Sequence, residues 1–406
     1  MPHSRSCARC TLGETMIQSR KRPAHLLAIA ILAAIVTAGC GGDTSDARAA
    51  LVPLGAPVAI QPTADLDVGV LEGDPMEEFD RVTTPFLMPN GTLAVPTRGA
   101  RTIRLFSPDG AFVESYGGPG EGPGEFGSLG SAWARGDTIE AYDGRLRRIT
   151  RFIPGGEVEV VTIRGTPVPP DRMLGPLGDG WALTGIARIT YGERDPMSVL
   201  YVSRDGAYVA RLADAEGMAR FRVPGISGPH PLTPIGLFDV HAGEVYAAET
   251  LTPAIRVYDG SGTYLREIAL AIDAPAPASS VFRQVIDSAV ARADEDERTA
   301  TRRRLSAFPE PDRLSSFWDF IVDEAGYVWV RPYEPLVHAL ALGGRPGGPS
   351  GPGGNWLVIS PEGAEVGRLE VPAGLELVQI TSDAVVGLHR DDLGIESVRV
   401  HSLSRR

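Results

Sequence analysis

Apolar and polar residues alternate with a period of two along most of the chain after residue 65, in short runs separated by turn residues. One such unit lies at 101–128, RTIRLFSPDGAFVESYGGPGEGPGEFGS, where two strand patterns flank Ser107-Pro108-Asp109-Gly110. Proline presets φ and glycine tolerates positive φ, so this tetrapeptide predicts a tight turn within a β-hairpin. Similar hairpins are predicted around 154–156, 205–206, 259–262 and 361–363. A hairpin that recurs at intervals of roughly 45–55 residues, doubled once by an insertion, is typical of a propeller array.

A second, inner hairpin precedes each of these turns, and the two hairpins together give four strands per repeat. The predicted blades span 79–116, 126–163, 173–212, 235–272 and 317–371, and a sixth combines 376–403 with an early strand at 66–71. We therefore expect an all-β fold over residues 65–406, a six-bladed β-propeller of four-stranded antiparallel blades. The early strand is expected to close the ring by completing the last blade.

Two stretches interrupt this rhythm. Between blades four and five, the apolar residues of the range 281–308 follow a helical spacing, at Val281, Val285, Ile286, Ala289 and Val290. This spacing predicts an amphipathic helical insertion at about 279–308, with Ser279 or Ser280 as its N-cap. Packing of this helix on the ring is favoured over the binding of a partner. The second stretch, at about 343–354, is rich in glycine and proline and is expected to be a disordered loop within blade five.

The N-terminal 39 residues have the organisation of an export signal. A basic cluster at 20–22 precedes an apolar run at 26–36, which is too short to span a bilayer comfortably. Small residues then lead to Cys40. Met16 is a possible true start, because residues 1–15 contribute nothing that a signal needs. Residues 40–64 are rich in small residues and proline, and we expect them to form a flexible tether between the membrane and the propeller.

Thr37-Ala38-Gly39-Cys40 resembles the lipobox of bacterial lipoproteins, although the commonest version has Leu where Thr37 stands. The resemblance implies cleavage before Cys40 and lipidation of its thiol, so the only expected covalent addition is lipid. In diderm bacteria, Gly41 rather than Asp after this cysteine favours the outer membrane, facing the periplasm or the cell surface. The alternative is an ordinary secretory peptide followed by an incidental cysteine.

Charge and cysteine content exclude several functional classes. The first 39 residues carry five basic residues and one acidic residue, which leaves 34 basic and 50 acidic residues and a net charge of −16. Such an acidic surface argues against nucleic acid as a partner, since that needs Arg and Lys to neutralise phosphates. Cys7 and Cys10 lie within the signal, so the processed chain would hold only Cys40 and no disulfide.

The repeat itself resembles that of six-bladed β-propeller lipoproteins of bacteria, relatives of NHL-repeat and TolB-type propellers. The similarity lies in LFSPDG at 105–110, followed by GEGPGEF at 120–126, and in the hairpin pattern DFIVDEAGYVWV at 319–330. It covers roughly residue 66 to the C-terminus, but the Pro-Gly-Glu-Phe crossing is clear only once. The resemblance implies a monomeric propeller head that is held at the membrane by its lipid.

Motifs for catalysis are missing from the processed chain. The glycine-rich stretch 117–127 lacks the Lys-Ser/Thr of a P-loop and precedes no helix pattern, so we interpret it as a crossing between blades. There is no GxSxG, HExxH or CxxC motif after Cys40. The histidines after Cys40 form no pair with ligand spacing; they are His230, His241, His338, His389 and His401. We assign no catalytic, cofactor-binding or metal-binding residues.

The main enzymatic alternative is a lactonase-type propeller, which holds a divalent cation in the central channel. Such sites resemble a cage of Glu, Asn and Asp oxygens, and this chain has only Asn90 and Asn355 after Cys40. Carboxylates would have to take their place, and the candidates are Asp80, Glu140, Asp239 and Asp319. The scarcity of asparagine weighs against this class of enzyme.

One local group suggests a binding surface at the channel mouth. Trp318, Asp319, Arg331 and Tyr333 flank a single inner hairpin, although packing between blades with an Arg–Asp pair is the simpler interpretation. Fold alone does not determine function. By analogy, we expect a lipid-anchored binding or assembly module of the cell envelope, whose partner is a protein, a peptide or a glycan. A hydrolase with a metal in the channel is the alternative.

Overall fold

The computed structural model describes residues 58–187, 190–223, 226–272, 278–339, 353–372, 374–391 and 393–405. Six antiparallel sheets contain nearly all of the regular secondary structure in this part of the chain. Their arrangement confirms the six-bladed propeller. The sheets are described below in chain order, each from the strand nearest the ring axis outwards.

Two short strands come first, β1 (Val58–Ile60) and β2 (Leu66–Val68). Blade one contains β3 (Phe86–Leu87), β4 (Leu93–Thr97), β5 (Thr102–Phe106) and β6 (Phe112–Gly117). Blade two contains β7 (Leu129–Arg135), β8 (Thr138–Asp143), β9 (Arg148–Ile153) and β10 (Glu157–Thr162). Blade three contains β11 (Pro170–Leu177), β12 (Gly180–Ile186), β13 (Arg194–Val202), β14 (Tyr208–Val223) and β15 (Ile226–Pro229).

Blade four contains β16 (Gly236–His241), β17 (Glu244–Glu249), β18 (Ala254–Asp259) and β19 (Tyr264–Ala269). Two helices follow, α1 (Ala278–Arg292) and α2 (Arg298–Leu305). Blade five contains β20 (Phe317–Val322), β21 (Val328–Pro332), β22 (Gly354–Ile359) and β23 (Glu365–Val371), with the short helix α3 (Pro335–His338) after β21. The last blade contains β24 (Leu375–Ile380), β25 (Ala384–Arg390) and β26 (Glu396–Arg405).

The first strands of the six blades contact one another in sequence and form a closed ring around the central axis. β3 contacts β7, and the series continues through β11, β16, β20 and β24 back to β3. Side chains reinforce several of these junctions. The Thr84 hydroxyl exchanges hydrogen bonds with the backbone of Ala132, and the amide oxygen of Gln379 accepts the N–H of Leu87 at 2.8 Å. The inner strands are thereby fixed relative to one another.

The N-terminal segment closes the ring, as the sequence predicts. Both β2 and β1 pair with β26, so the last blade is completed by residues from the start of the propeller. The expected boundary at residue 65 is wrong, because Val58–Ile60 pairs in register with Leu403 to Arg405. A three-residue strand shows too little alternation to be recognised within a proline-rich stretch. Within the described part of the tether range, Val58–Ile60 thus belongs to the sheet.

Each interface between neighbouring blades holds one cluster of buried apolar side chains. Between blades one and two, for example, Phe86 and Ile103 pack with Phe126 and Phe152. The five other interfaces have equivalent clusters. A strand whose two faces are both buried needs apolar side chains on each face. The inner strands are accordingly composed mostly of apolar residues. Burial between the blades is the main source of stability for the ring.

The recurring outer hairpins share one turn chemistry. In blades one and three the Ser hydroxyl of a Ser-x-Asp-Gly turn donates to the Asp carboxylate, Ser107 to Asp109 and Ser203 to Asp205, both at 2.5 Å. The glycine that follows has φ of +89° in blade one and +86° in blade three. Each turn lies beside a register shift in its hairpin. The sequence repeat therefore corresponds to a repeated bulged turn.

The helical insertion lies at the predicted position between blades four and five. α1 and α2 bury their apolar residues in a cluster with Leu232, Phe308 and Leu314, which come from the loops on either side. Phe221, at the end of β14, packs against the same cluster. α3 was not predicted from the sequence, since four residues carry no helical period. The helices thus form a small core of their own against the extended part of blade three.

Several sequence predictions concern residues outside the described ranges. These are the signal at 1–39, Cys40 with its lipid, the tether up to residue 57, and the Gly/Pro loop except residues 353 and 354. Within the described ranges, no helix is both long and apolar enough to span a membrane.

Candidate functional site at the centre of the ring

The group singled out on the inner hairpin of blade five divides into two parts. Asp319 on β20 lies opposite Arg331 on β21, next to a register shift between Phe317 and Asp319. Arg331 is buried, whereas Asp319 is half-buried and accepts the N–H of Phe320 at 2.9 Å. Burial raises the pKa of Asp319 to about 6, against the opposing effects of that hydrogen bond and of Arg172 and Arg331 nearby. Asp319 and Arg331 are the charged part of this group.

Trp318 and Tyr333 belong to an aromatic cluster instead. Trp318 stacks on His338 of α3, with ring centroids 4.6 Å apart and planes within 1°, and on Tyr333 at 6.0 Å. Trp318 and His338 are both buried. The structure therefore brings all four candidates to one hairpin, but the aromatic pair packs internally with a histidine that the sequence did not connect to it.

The protonation state of His338 follows from its contacts. Its Nδ1 accepts the backbone N–H of Glu334 at 2.9 Å, so the ring proton resides on Nε2. Burial, with a smaller effect from Arg331, lowers the pKa of His338 to about 3. Nε2 is buried and makes no hydrogen bond. His338 is therefore a neutral imidazole that links the aromatic cluster to the charged residues at the axis.

Three further charged residues lie on the inner strands of neighbouring blades. They are Arg172 on β11, Asp239 on β16 and Glu376 on β24. Arg172 acts electrostatically on both Asp239 and Asp319, and Asp319 acts on Glu376. The inner strands of blades three to six thus place four ionisable side chains around the axis, and Arg331 lies opposite Asp319 on the second strand of blade five.

Asp239 is held by the backbone. Its Oδ1 accepts the N–H of Val240 and its Oδ2 accepts the N–H of Val322 in blade five, each at 2.8 Å. Burial nevertheless raises its pKa to about 6. Because both oxygens are occupied, Asp239 bridges blades four and five, and at neutral pH it contributes a negative charge to the axis.

Glu376 has no such partners. Its Oε2 is buried without a hydrogen bond, and the nearest cation is Arg390, with Nη1 3.9 Å away. Arg390 itself is bound to Glu396, through Nη2 at 2.5 Å and Nε at 3.1 Å. Burial, reinforced by the negative charge of Asp319, raises the pKa of Glu376 to about 8. The carboxyl is consequently protonated for the most part at neutral pH.

Arg172 is the counterpart of Glu376 on the other side of the ring. Its side chain is half-buried and makes no hydrogen bond or ion pair with any residue that the structure describes. Sequence reasoning missed both Arg172 and Glu376, although it named Asp239 and Asp319. Arg172 follows Asp171 at the start of PDRMLGPL, and Glu376 is the single charged residue of LELVQI, so each is a charged residue in a first strand that is otherwise largely apolar. That exception to the apolar pattern could have identified both.

The other carboxylates proposed for the channel lie elsewhere. Asp80 is exposed and pairs with its neighbour Arg81 at 3.2 Å. Glu140 is buried between blades two and three, where it accepts hydrogen bonds from Arg135, Arg151 and the indole of Trp181. Both positions were wrong for a channel site, because each residue is held by local partners that sequence spacing does not show.

A divalent cation does not fit the residues at the axis. Among the described residues, no three His, Cys, Asp or Glu side chains lie close enough to share a metal ion. Asn90 bonds the N–H of Thr92 in its own turn, and Asn355 is exposed on β22. Arg172 and Arg331 also place positive charge beside Asp319. The oxygen cage that calcium requires is therefore absent from these residues.

The glycine-rich stretch 117–127 is a crossing between blades, as interpreted from the sequence. The guanidinium of Arg148 donates to the carbonyls of Glu121, Gly122 and Glu125 at 2.7–2.8 Å, so a cation holds the loop from inside. Phe126 at its end is fully buried between blades one and two. The loop is thus closed on its own chain and presents no phosphate cradle.

No family model and no curated protein sequence matches this chain. Solved structures similar to it include a member of the DUF4221 family from Bacteroides vulgatus, with 9% identity over 87% of this chain and 100% of that one, at a TM-score of 0.49. A gluconolactonase from Xanthomonas campestris is 12% identical over 87% of this chain and 92% of its own, with a TM-score of 0.43. A catalytically inactive virginiamycin B lyase from Staphylococcus aureus is 9% identical over 86% and 100%, with a TM-score of 0.42. At these values the similarities say nothing about function, and the six sheets described above define the fold.

Proposed function

We propose that the chain is a lipid-anchored binding module of the cell envelope, of the NHL- and TolB-like propeller type, whose ligand contacts the charged residues at the ring axis. The observation that carries this proposal is Glu376, whose Oε2 is buried without a hydrogen bond. A buried polar atom without a partner costs stability, and such groups persist where a ligand completes their interactions. Arg172 lies on the opposite side of the ring and makes no ion pair with the described residues, which supports the same interpretation.

Attachment to the membrane rests on the sequence of the N-terminal segment. Cleavage before Cys40 and acylation of its thiol would hold the monomeric propeller at the outer membrane, facing the periplasm or the cell surface. The partner would be an envelope protein, a peptide or a glycan. An acidic chain of this kind is unsuited to nucleic acid.

Binding is favoured over the lactonase-type alternative by the donor set at the axis. A hydrolase of that type needs several free oxygen ligands around one cation. Here both oxygens of Asp239 accept backbone N–H groups, and Arg172 lies close enough to interact with Asp239 and Asp319. These contacts leave Asp319 and Glu376 as the acids at the axis that could bind a cation. The guanidinium of Arg172 adds a positive charge near them, which disfavours a metal ion.

The test uses the full-length protein purified in detergent, together with Arg172→Gln and Glu376→Gln. Arg211→Gln serves as a matched control, because Arg211 is 57% exposed on β14 and pairs only with Asp214. Bound metal is measured first, and the melting temperature is recorded with and without chelator. A panel of oligosaccharides and short peptides is then screened by thermal shift.

A ligand that raises the melting temperature of the wild type and the control, but of neither axis variant, would support the proposal. One equivalent of calcium or zinc, with a clear fall in melting temperature after chelation, would contradict it and favour the hydrolase.

A further inference from the structure

The two side chains at the axis with unused hydrogen-bonding capacity are a base, Arg172, and an acid, Glu376, and they lie on opposite sides of the ring. In a closed ring of six blades, blade three faces blade six, so Arg172 on β11 and Glu376 on β24 lie across the axis from each other. Asp239 and Asp319 lie on the two blades between them. Along this half of the ring, the cation of Arg172 is followed by the carboxylates of Asp239 and Asp319 and then by the protonated carboxyl of Glu376.

The acidic end has hydrogen-bonding capacity that the described residues do not use. Oε2 of Glu376 has no hydrogen bond, and the nearest guanidinium, that of Arg390, is committed to Glu396. Asp319 accepts one backbone N–H through Oδ1. A ligand ammonium placed between Glu376 and Asp319 would supply hydrogen bonds that the protein does not supply itself.

The basic end also has unused hydrogen-bonding capacity. The half-buried guanidinium of Arg172 makes no hydrogen bond or ion pair with the described residues. Its planar donors match a carboxylate in two-point contact. Asp239, the nearest acid on the adjacent blade, already accepts N–H groups at both oxygens. A ligand carboxylate would therefore meet a donor group with free capacity.

We propose that the axis binds a zwitterionic ligand of the amino-acid or short-peptide class, with its carboxylate at Arg172 and its ammonium between Asp319 and Glu376. This inference rests on the proposed binding function and names its ligand class. A neutral sugar is disfavoured, because sugar rings stack on exposed aromatic faces. Trp318 and His338 are buried against each other in the aromatic cluster instead.

Proton release should accompany binding. Glu376 is surrounded by Asp319 on β20, Arg331 on β21, Arg390 on β25 and Glu396 on β26. In the free protein its pKa of about 8 keeps most of the carboxyl protonated at neutral pH. An ammonium beside it stabilises the ionised form, so the proton leaves as the ligand enters. Binding should accordingly tighten as the pH rises from 6 towards 8.

The experiment is isothermal titration of the full-length protein with diglycine, N-acetyl-diglycine and glycylglycinamide. Glycine and triglycine are also titrated, because they vary the distance between the ammonium and the carboxylate. Titrations at pH 7 in two buffers of different ionisation enthalpy measure the protons released. We expect one zwitterion to bind at least about tenfold more tightly than its acetylated and amidated analogues, since each loses a charge-assisted contact.

The variants separate the two ends. Arg172→Gln should remove the preference for the free carboxylate and keep that for the free amine. Glu376→Gln should do the reverse and abolish proton release, while Arg211→Gln should behave as the wild type. The assignment would be overturned if the wild type bound all analogues equally. It would also be overturned if the two axis variants lost affinity but still preferred the same free carboxylate and free amine as the wild type.

Failure of this inference can be told apart from failure of the proposed function. If an oligosaccharide binds and both axis variants abolish that binding, the binding function stands and the zwitterion is refuted. If neither peptides nor oligosaccharides bind, or if a metal occupies the axis, both are refuted.

Discussion

One buried ion pair joins the last blade to blade five. Arg405, at the end of β26, donates from Nη2 to Oδ2 of Asp323 at 2.5 Å, and the two side chains are 7% and 0% exposed. Asp323 also accepts the N–H groups of Ala325 and Tyr327 and the indole N–H of Trp329. The pair joins the last strand of the closing blade to the first hairpin of blade five.

Arg405→Met should destabilise the protein by about 3–5 kcal/mol, because it leaves the carboxylate of Asp323 buried without its cation. Two nitrogens of Arg405 are buried without hydrogen bonds, and three N–H donors remain on Asp323, so the lower end of that range is favoured. At about 2.1 cal/mol/K of unfolding entropy per residue over about 350 residues, this corresponds to a fall of roughly 4–7 °C in melting temperature.

The assay is differential scanning calorimetry at pH 7, with Arg399→Met as the matched control on the same strand. Arg399 pairs with Asp67 at 2.8 Å, but the two side chains are 30% and 44% exposed, so its loss should cost at most about 1 kcal/mol. The double variant Arg405→Met with Asp323→Asn should recover part of the loss. If Arg405→Met melts within a degree of the control, the buried pair does not stabilise the contact between the last blade and blade five, and the reasoning is refuted.

Three further predictions concern the axis, the first crossing between blades and the anchor. The pKa of Glu376 is raised from 4.5 to about 8, so the folded protein binds more protons than the unfolded chain in that window. Stability should therefore fall as pH rises through it, and Glu376→Gln should flatten the decline in melting temperature between pH 6 and 9; an unchanged slope would contradict this. Gly117→Ala should cost about 2–4 kcal/mol in urea unfolding, because φ is +95° and a Cβ would lie 2.7 Å from the carbonyl oxygen of Arg101. Gly155→Ala has a similar φ of +96°, but its Cβ would have no atom beyond its chain neighbours within 4 Å, so it should cost only about 1 kcal/mol. Equal losses of stability in the two variants would show that the contact with Arg101 is unimportant. Cys40→Ser should move the protein from the membrane to the soluble fraction and remove the lipid mass; retention in the membrane would refute lipid anchoring.

Local turn chemistry explains why so much of the fold could be predicted from the sequence. Turns such as the one at Ser107-Pro108-Asp109-Gly110 form through contacts within four residues, so their spacing marks the blades wherever they lie. The helical period of α1 is equally local. β1 could not be predicted, because its three residues become a strand only by pairing with a segment about 340 residues away. The extension of β14 to Val223 was missed for a similar reason: its partner β15 is only four residues long.

The axis shows the opposite case, in which the informative property lies between distant segments. Asp239 and Asp319 were named as carboxylates without a reason to place them together. What unites them with Arg172 and Glu376 is the order of the blades around the ring, which brings together residues about 200 positions apart. A sequence shows a charged residue inside an apolar strand, but it does not show whether a partner from another blade meets it.

The contrast among buried acids is what gives Glu376 its significance. Glu140 accepts hydrogen bonds from two arginines and an indole, Asp143 accepts four backbone N–H groups, and Asp323 accepts three N–H groups and Arg405. Asp195 is an intermediate case, since its Oδ2 accepts from Arg220 while its buried Oδ1 has no hydrogen bond. Glu376 is 15% exposed, its Oε2 is buried without a hydrogen bond, and the guanidinium of Arg390 lies 3.9 Å from that oxygen. The proposed binding function accounts for this arrangement, because a ligand group at the axis would supply the hydrogen bond that Oε2 lacks.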